Sequence, residues 1–123
     1  MIRVRRAYAP PVADGSRTVL VDRLWPRGLR KTALRPDAWL KDVAPSTELR
    51  RWFNHEPAKW AEFRRRYTRE LAGNGRALKP LLVAAAAGDV TLLYGARDVE
   101  HNHAIVIKEY LEATLARRGA HDR

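Results

Sequence analysis

The sequence predicts a small single α/β domain with a central, mostly parallel sheet flanked by helices. Three observations predict it. Two short β-branched apolar runs, TVLVDRL at 18–24 and VTLLY at 90–94, have the length and composition of strands buried on both faces. Between them lie only helix-period patterns. A further amphipathic pattern follows the second run, which completes strand–helices–strand–helix.

Taken in order, Ile2 to Tyr8 alternates Ile2, Val4, Ala7 and Tyr8 with Arg3, Arg5 and Arg6. That pattern suits a half-buried strand near a sheet edge. Pro10-Pro11 ends it, and Asp14-Gly15 marks a turn. The link to the next strand is short for a parallel crossover, so the direction of this first strand stays open. After the strand at 18–24, Pro36 to Ala44 reads as a short helix carrying Trp39 and Leu40.

Ser46 or Thr47 then caps a helix with Glu48 in its first turn and Leu49, Trp52 and Phe53 as its buried stripe. Pro57 opens another helix, whose face is Trp60, Phe63, Tyr67 and Leu71, and Gly73-Asn74-Gly75 ends it through residues that tolerate left-handed backbone. Ala77 to Ala87 is the next helix, closed by Gly88. After the strand at 90–94 comes a loop, Gly95 to His101. Asn102 caps a last helix that buries Ile107, Tyr110, Leu111 and Leu115. The domain spans 1–118, and 119–123 reads as a frayed tail. The strands at 18–24 and 90–94 are expected to be parallel neighbours, with the helices as a right-handed crossover.

Composition bounds the function. No apolar run approaches the roughly 20 residues of a membrane span, and the basic start MIRVRRAYAPP lacks the apolar core of a signal peptide. There is no cysteine, which excludes disulfides, thiol catalysis and thiolate metal sites and fits a cytoplasmic protein. With 24 basic and 14 acidic residues the formal charge is +10. Such a charge attracts polyanions, although an Arg- and Ala-rich composition produces the same excess without a nucleic-acid role. The run Arg64-Arg65-Arg66 reads as a solvated helix face.

Ligands of open α/β sheets bind beyond the carboxyl ends of the strands. The first such end carries Asp22, Arg23, Trp25, Arg27 and Gly28, and the second carries Tyr94, Arg97, Asp98, Glu100, His101, Asn102 and His103. Ser46, Thr47 and Arg50 lie at a helix start that can join them. Arg23, Arg27, Arg50 and Arg97 offer permanent charge and forked donors for phosphate or carboxylate. Trp25 can stack on a base. The plainer alternative pairs these arginines internally with Asp22, Asp37, Asp42 or Asp98 and makes Trp25 a lid on the core. His101 and His103, two apart, match no zinc pattern, so no metal is expected. His103 is the better candidate for acid–base chemistry with Asp22. No P-loop, GxGxxG or GxSxG motif occurs, and no cofactor is expected.

Three segments in order, VDRLWPRG at 21–28, PSTELRRWF at 45–53 and LLYGARDVEHNHAIVIKEYL at 92–111, with FRRRYTREL at 63–71 between them, resemble the YeaO-like family of short bacterial domains of unknown function. The resemblance covers nearly the whole chain. It implies an α/β domain and brings no established activity. Its motif positions here are Asp22, Arg23, Trp25, Pro26, Arg27, Gly28, Lys31, Trp39, Ser46, Leu49, Arg50, Phe63, Tyr67, Tyr94, Asp98, Asn102 and His103. Longer relatives are similar to a pattern with a cysteine at the end of the last strand and a Cys-His-Arg run at the following helix. Tyr94 and Asn102-His103 stand there instead, so thiol chemistry does not transfer.

Three functions remain in competition. The first is an anion-binding cleft at the strand ends for a nucleotide or nucleic-acid phosphate, held by Arg23, Trp25, Arg27, Ser46, Arg50, Tyr94, Arg97, Asp98 and Asn102. The second is a small-molecule hydrolase or transferase using Asp22 and His103. The third is a protein-interaction module without catalysis.

Overall fold

The computed structural model describes residues 1–121. Four parallel strands form one sheet in the order β1-β4-β2-β3. They are β1 (Ile2–Arg6), β2 (Arg17–Leu20), β3 (Ala38–Trp39) and β4 (Val90–Tyr94). The helices are α1 (Thr47–Phe53), α2 (Trp60–Ala72), α3 (Gly75–Ala87) and α4 (His103–His121).

Every residue of β4 is buried, as its unbroken apolar run VTLLY requires of a central strand. Val90, Leu92 and Tyr94 join Val19 and Val21 in the cluster packed by the helices. Leu20 and Leu93, which pair in register, alternate onto the other face and are also buried. Phe63, Tyr67 and Leu71 of α2, Leu78 and Leu81 of α3, and Ile107 and Leu111 of α4 complete the core. Within each helix they lie three or four positions apart, the spacing of one amphipathic face.

The first strand, whose direction the sequence left open, is parallel to β4 at the sheet edge. Its link to β2 holds no helix; Ser16 and Thr91 share a hydroxyl hydrogen bond of 2.7 Å that ties the end of this link to β4. Other expectations need correction. Residues 36–44 do not form a helix. Asp37 N donates to Thr18 O and Leu40 N to Leu20 O, so 38–39 add a fourth strand, followed by a 3-10 turn over Lys41–Val43. Strand β2 stops at Leu20 rather than Leu24, although Val21 N still bonds Leu93 O. Helix α2 ends at Gly73 with φ −87°, without a left-handed residue; the left-handed backbone lies instead at Asn54 and His55, after α1. Pro57 opens a 3-10 turn ahead of α2, and α3 starts at Gly75 rather than Ala77.

Helix α4 runs on to His121 through the first residues of the expected tail, and 122–123 lie outside the described residues. Arg64 pairs with Glu109, while Arg65 and Arg66 share Glu62, whose carboxyl they hold down to about 2. The arginine run is therefore engaged partly along its own helix and partly across to α4, three cations against two carboxylates. Among the described residues no helix is long and apolar enough to cross a membrane.

Candidate functional site

Because β2 and β4 are parallel neighbours, their carboxyl ends open on the same edge of the sheet. A cavity of about 310 Å³ lies there. Its walls are the loop after β2, Ala44 and Pro45 ahead of α1, Arg50 and Phe53 of α1, Phe63 of α2, the loop after β4 and the first residue of α4.

The floor is an interlocked polar pair. Asp22 Oδ2 accepts a 2.8 Å hydrogen bond from Gly95 N. A side chain at position 95 would put its Cβ 2.8 Å from that same oxygen, so only glycine admits the contact. His103 Nε2 donates to Val21 O at 3.1 Å and lies 3.2 Å from Asp22 Oδ1. Oδ1 is sealed from solvent and forms no hydrogen bond of its own. Two acceptor oxygens around Nε2 require the proton there, which leaves Nδ1 bare in the neutral ring. Asp22 and His103 thus meet as one unit, at an angle that favours the Val21 carbonyl.

Asn102 is buried at the start of α4 and accepts from Ile105 N at 3.2 Å, which sets the helix entry and with it the His103 ring.

Three arginines line the same cavity: Arg23, Arg27 and Arg50. Arg23 donates through Nη2 to Ala44 O (3.4 Å) and Pro45 O (3.3 Å). Those long contacts hold the guanidinium across the cavity and leave its remaining donors uncommitted. Arg27 and Arg50 are exposed. Among the described residues none of the three forms an ion pair. Internal pairing with Asp37, Asp42 or Asp98, the plainer alternative, does not occur among them. Asp37 instead accepts from Thr18 N and Oγ1, and Asp98 accepts from its own loop.

The loop after β2 is held in shape from four sides. Trp39 Nε1 donates to Asp22 O at 2.7 Å, Trp25 Nε1 to Leu29 O at 2.6 Å and Tyr8 Oη to Arg27 O at 2.6 Å. The Trp25 and Trp39 rings meet edge-on with centroids 5.4 Å apart. Gly28 takes φ +81°, a left-handed conformation that glycine adopts without strain. Trp25 lines the cavity, and its N–H closes the loop.

The other expected residues fall outside the lining. Ser46 Oγ donates to Glu70 Oε2 at 2.6 Å and accepts from Leu49 N, so it joins α1 to α2 as a cap. Tyr94 is buried, and that burial pushes its hydroxyl up from the ordinary 10.0. Arg97 is exposed away from the cavity. Asp98 supports it from behind. Backbone N–H groups, Glu100 first, and the His101 side chain hold the Asp98 carboxyl below its ordinary 3.8.

Asp98 Oδ2 lies 2.9 Å from His101 Nδ1, and His101 lines the cavity. Sequence reading missed His101 as a site residue. Its signal was the Asp-x-x-His spacing at a loop end, which lets the carboxylate reach both the backbone and the ring. His55, also in the lining, stands at φ +55° and had no sequence signal at all. Among the described residues no three His, Asp or Glu side chains gather as a metal site.

A family model described as the inactive DUF488-N3 subclade matches residues 1–123. The chain is 42% identical to the uncharacterized protein YeaO of Escherichia coli K12 over 112 residues, 91% of this chain and 97% of that protein. It is also 42% identical to the uncharacterized proteins Mb3100c of Mycobacterium bovis and Rv3073c of Mycobacterium tuberculosis, over 89% of this chain and 92% of each of those. No solved structure matches.

Proposed function

The chain belongs to the YeaO-like family, in the subclade described as inactive, and we propose that it is an anion receptor whose ligand carries phosphate, as nucleotide or nucleic acid. One observation carries the reading. Arg23, Arg27 and Arg50 line one cavity at the strand ends without a carboxylate partner among the described residues, on a chain of formal charge +10. Permanent cations left unpaired in a concave site bind oxyanions through forked, charge-assisted hydrogen bonds. Trp25, in the same wall, is the aromatic residue on which a base or sugar would stack. The word inactive in the subclade's description favours binding without turnover.

The test is titration with AMP, ATP and a short single-stranded DNA at several salt concentrations. Affinity should fall as salt rises, and Arg23→Ala with Arg27→Ala should weaken it by at least roughly tenfold, the loss of about one charge-assisted hydrogen bond. No binding at low salt, or binding indifferent to both substitutions, would overturn the reading.

A second reading is favoured by the 3.2 Å approach of Asp22 Oδ1 to His103 Nε2. In a hydrolase or transferase Asp22 would orient His103, and the bare Nδ1 would take the proton. The two would then act in series and not as separate base and acid. Turnover of a phosphate or carboxylate ester that disappears in His103→Ala would support it; a chain that binds such esters and never turns them over would exclude it.

A further inference from the structure

We propose that the anion is the terminal phosphate of a monoester, a dianion on a small organic group, and not an internal phosphodiester of a nucleic-acid strand. The proposal rests on the anion-receptor reading above and narrows it.

Charge selects first. Three arginines line the cavity against a single acidic residue there, Asp22. That carboxylate is already occupied by Gly95 N on one oxygen and crowded by His103 on the other. The cavity therefore offers about two positive charges more than it neutralises. A monoester carries close to two negative charges at neutral pH and a diester only one.

Donor geometry selects next. A monoester presents three terminal oxygens, a diester two. The arginines stand in two separate walls: Arg23 and Arg27 in the loop after β2, and Arg50 in α1. Arg23 is held across the cavity by the Ala44 and Pro45 carbonyls, so its orientation is set before a ligand arrives. Grasp from two walls leaves one oxygen of the phosphate to carry its organic group. A polymer would need two.

Size selects last. A volume of about 310 Å³ is at the lower end of small-ligand sites and suits a phosphate with one ring or one sugar. The Phe53 and Phe63 rings, stacked with centroids 4.3 Å apart, supply an apolar wall for that group.

The experiment is calorimetric titration of the full chain at pH 7.5 with phenyl phosphate, with methyl phenyl phosphate as its diester, and with a twelve-residue single-stranded DNA lacking terminal phosphates. Phenyl phosphate should bind at least about tenfold more tightly than the diester, the worth of one extra charge-assisted contact. Arg50→Gln should weaken phenyl phosphate by a similar factor. Arg64→Gln, on the helix face paired with Glu109, should leave it unchanged. Equal affinity for the two esters, both sensitive to Arg50→Gln, would overturn the monoester preference and leave the receptor reading intact. Tighter binding of the DNA than of phenyl phosphate would do the same. No binding of any probe would overturn both.

Discussion

Gly95 and Asp22, 73 positions apart in the chain, meet at 2.8 Å, the Gly95 amide donating to the carboxylate Oδ2. The missing Cβ is what makes room, because it would stand 2.8 Å from that oxygen. Gly95→Ala should therefore expel the Asp22 side chain from its seat and cost about 1–3 kcal/mol, the scale of a buried hydrogen bond lost together with local overpacking. Asp22→Ala removes the obstructing atom. The double variant should then lose less stability than the two single losses added, by at least about 1 kcal/mol. Denaturant melts of the four proteins measure it. Additive losses would mean that the two residues do not hold each other.

Tyr67 donates its hydroxyl to Val43 O inside the core. Tyr67→Phe should cost about 1–2 kcal/mol at neutral pH, because the Val43 carbonyl is left without its partner. Burial pushes the phenol well above its ordinary 10.0. The unfolded chain ionises Tyr67 near that ordinary value while the folded chain keeps it protonated. Its contribution is therefore whole below pH 10 and declines as pH rises beyond it. Wild type should lose stability more steeply than Tyr67→Phe above pH 10, and alkaline urea melts of both proteins check the difference. Parallel curves would show that Tyr67 ionises as freely in the fold as outside it.

What the sequence revealed follows from which contacts are local. The strands at 18–24 and 90–94 were readable because burial on both faces demands an unbroken apolar run. The Ser46 cap was readable because its Leu49 partner is three residues away. Strand β3 was not readable: two residues carry no period, and Trp39 is placed by Leu20 and by an indole bond to Asp22 O, both long-range. Pro36 and Asp37 even imitate a helix start. At the site, the convergence of Asp22, Arg23 and Arg27 with His103 followed from parallel pairing. The exclusion of Ser46 did not, because Glu70, 24 residues on, takes its hydroxyl. Nor did the sequence show that Asp98 would turn His101 toward the cavity.

Asp98 supplies a pH prediction. Its carboxyl is held below the ordinary 3.8, first by Glu100 N and then by the His101 ring. A depressed folded value means that its stabilising effect is present above the ordinary value and is lost as pH falls through the folded one. In a carboxyl NMR titration Asp98 should have its midpoint below 3.8. Ring signals of His101 should shift or broaden over the same interval as the contact opens. Asp98→Ala should abolish that low-pH step in the His101 signals. A midpoint at or above 3.8 would contradict the hydrogen bonding seen in the loop.

Glu70 links stability to the cavity. Its two oxygens accept from Ser46 N at 2.8 Å and Ser46 Oγ at 2.6 Å, which docks the start of α1 on α2. Arg50, one turn into α1, takes its place in the cavity wall from that docking. Glu70→Ala removes both acceptors and should cost about 1.5–3 kcal/mol, the range for hydrogen bonds to a charged group. Glu70→Gln keeps one acceptor oxygen, so its loss should be the smaller one. The same pair separates a structural effect from a positional one. Under conditions where both variants remain folded, phenyl phosphate affinity should fall in the order wild type, Glu70→Gln, Glu70→Ala, because Arg50 drifts as α1 loosens. With Arg50→Gln as background, neither change at Glu70 should weaken binding further. A Glu70 effect that persists without the Arg50 charge would show that α1 shapes the cavity by some route other than Arg50.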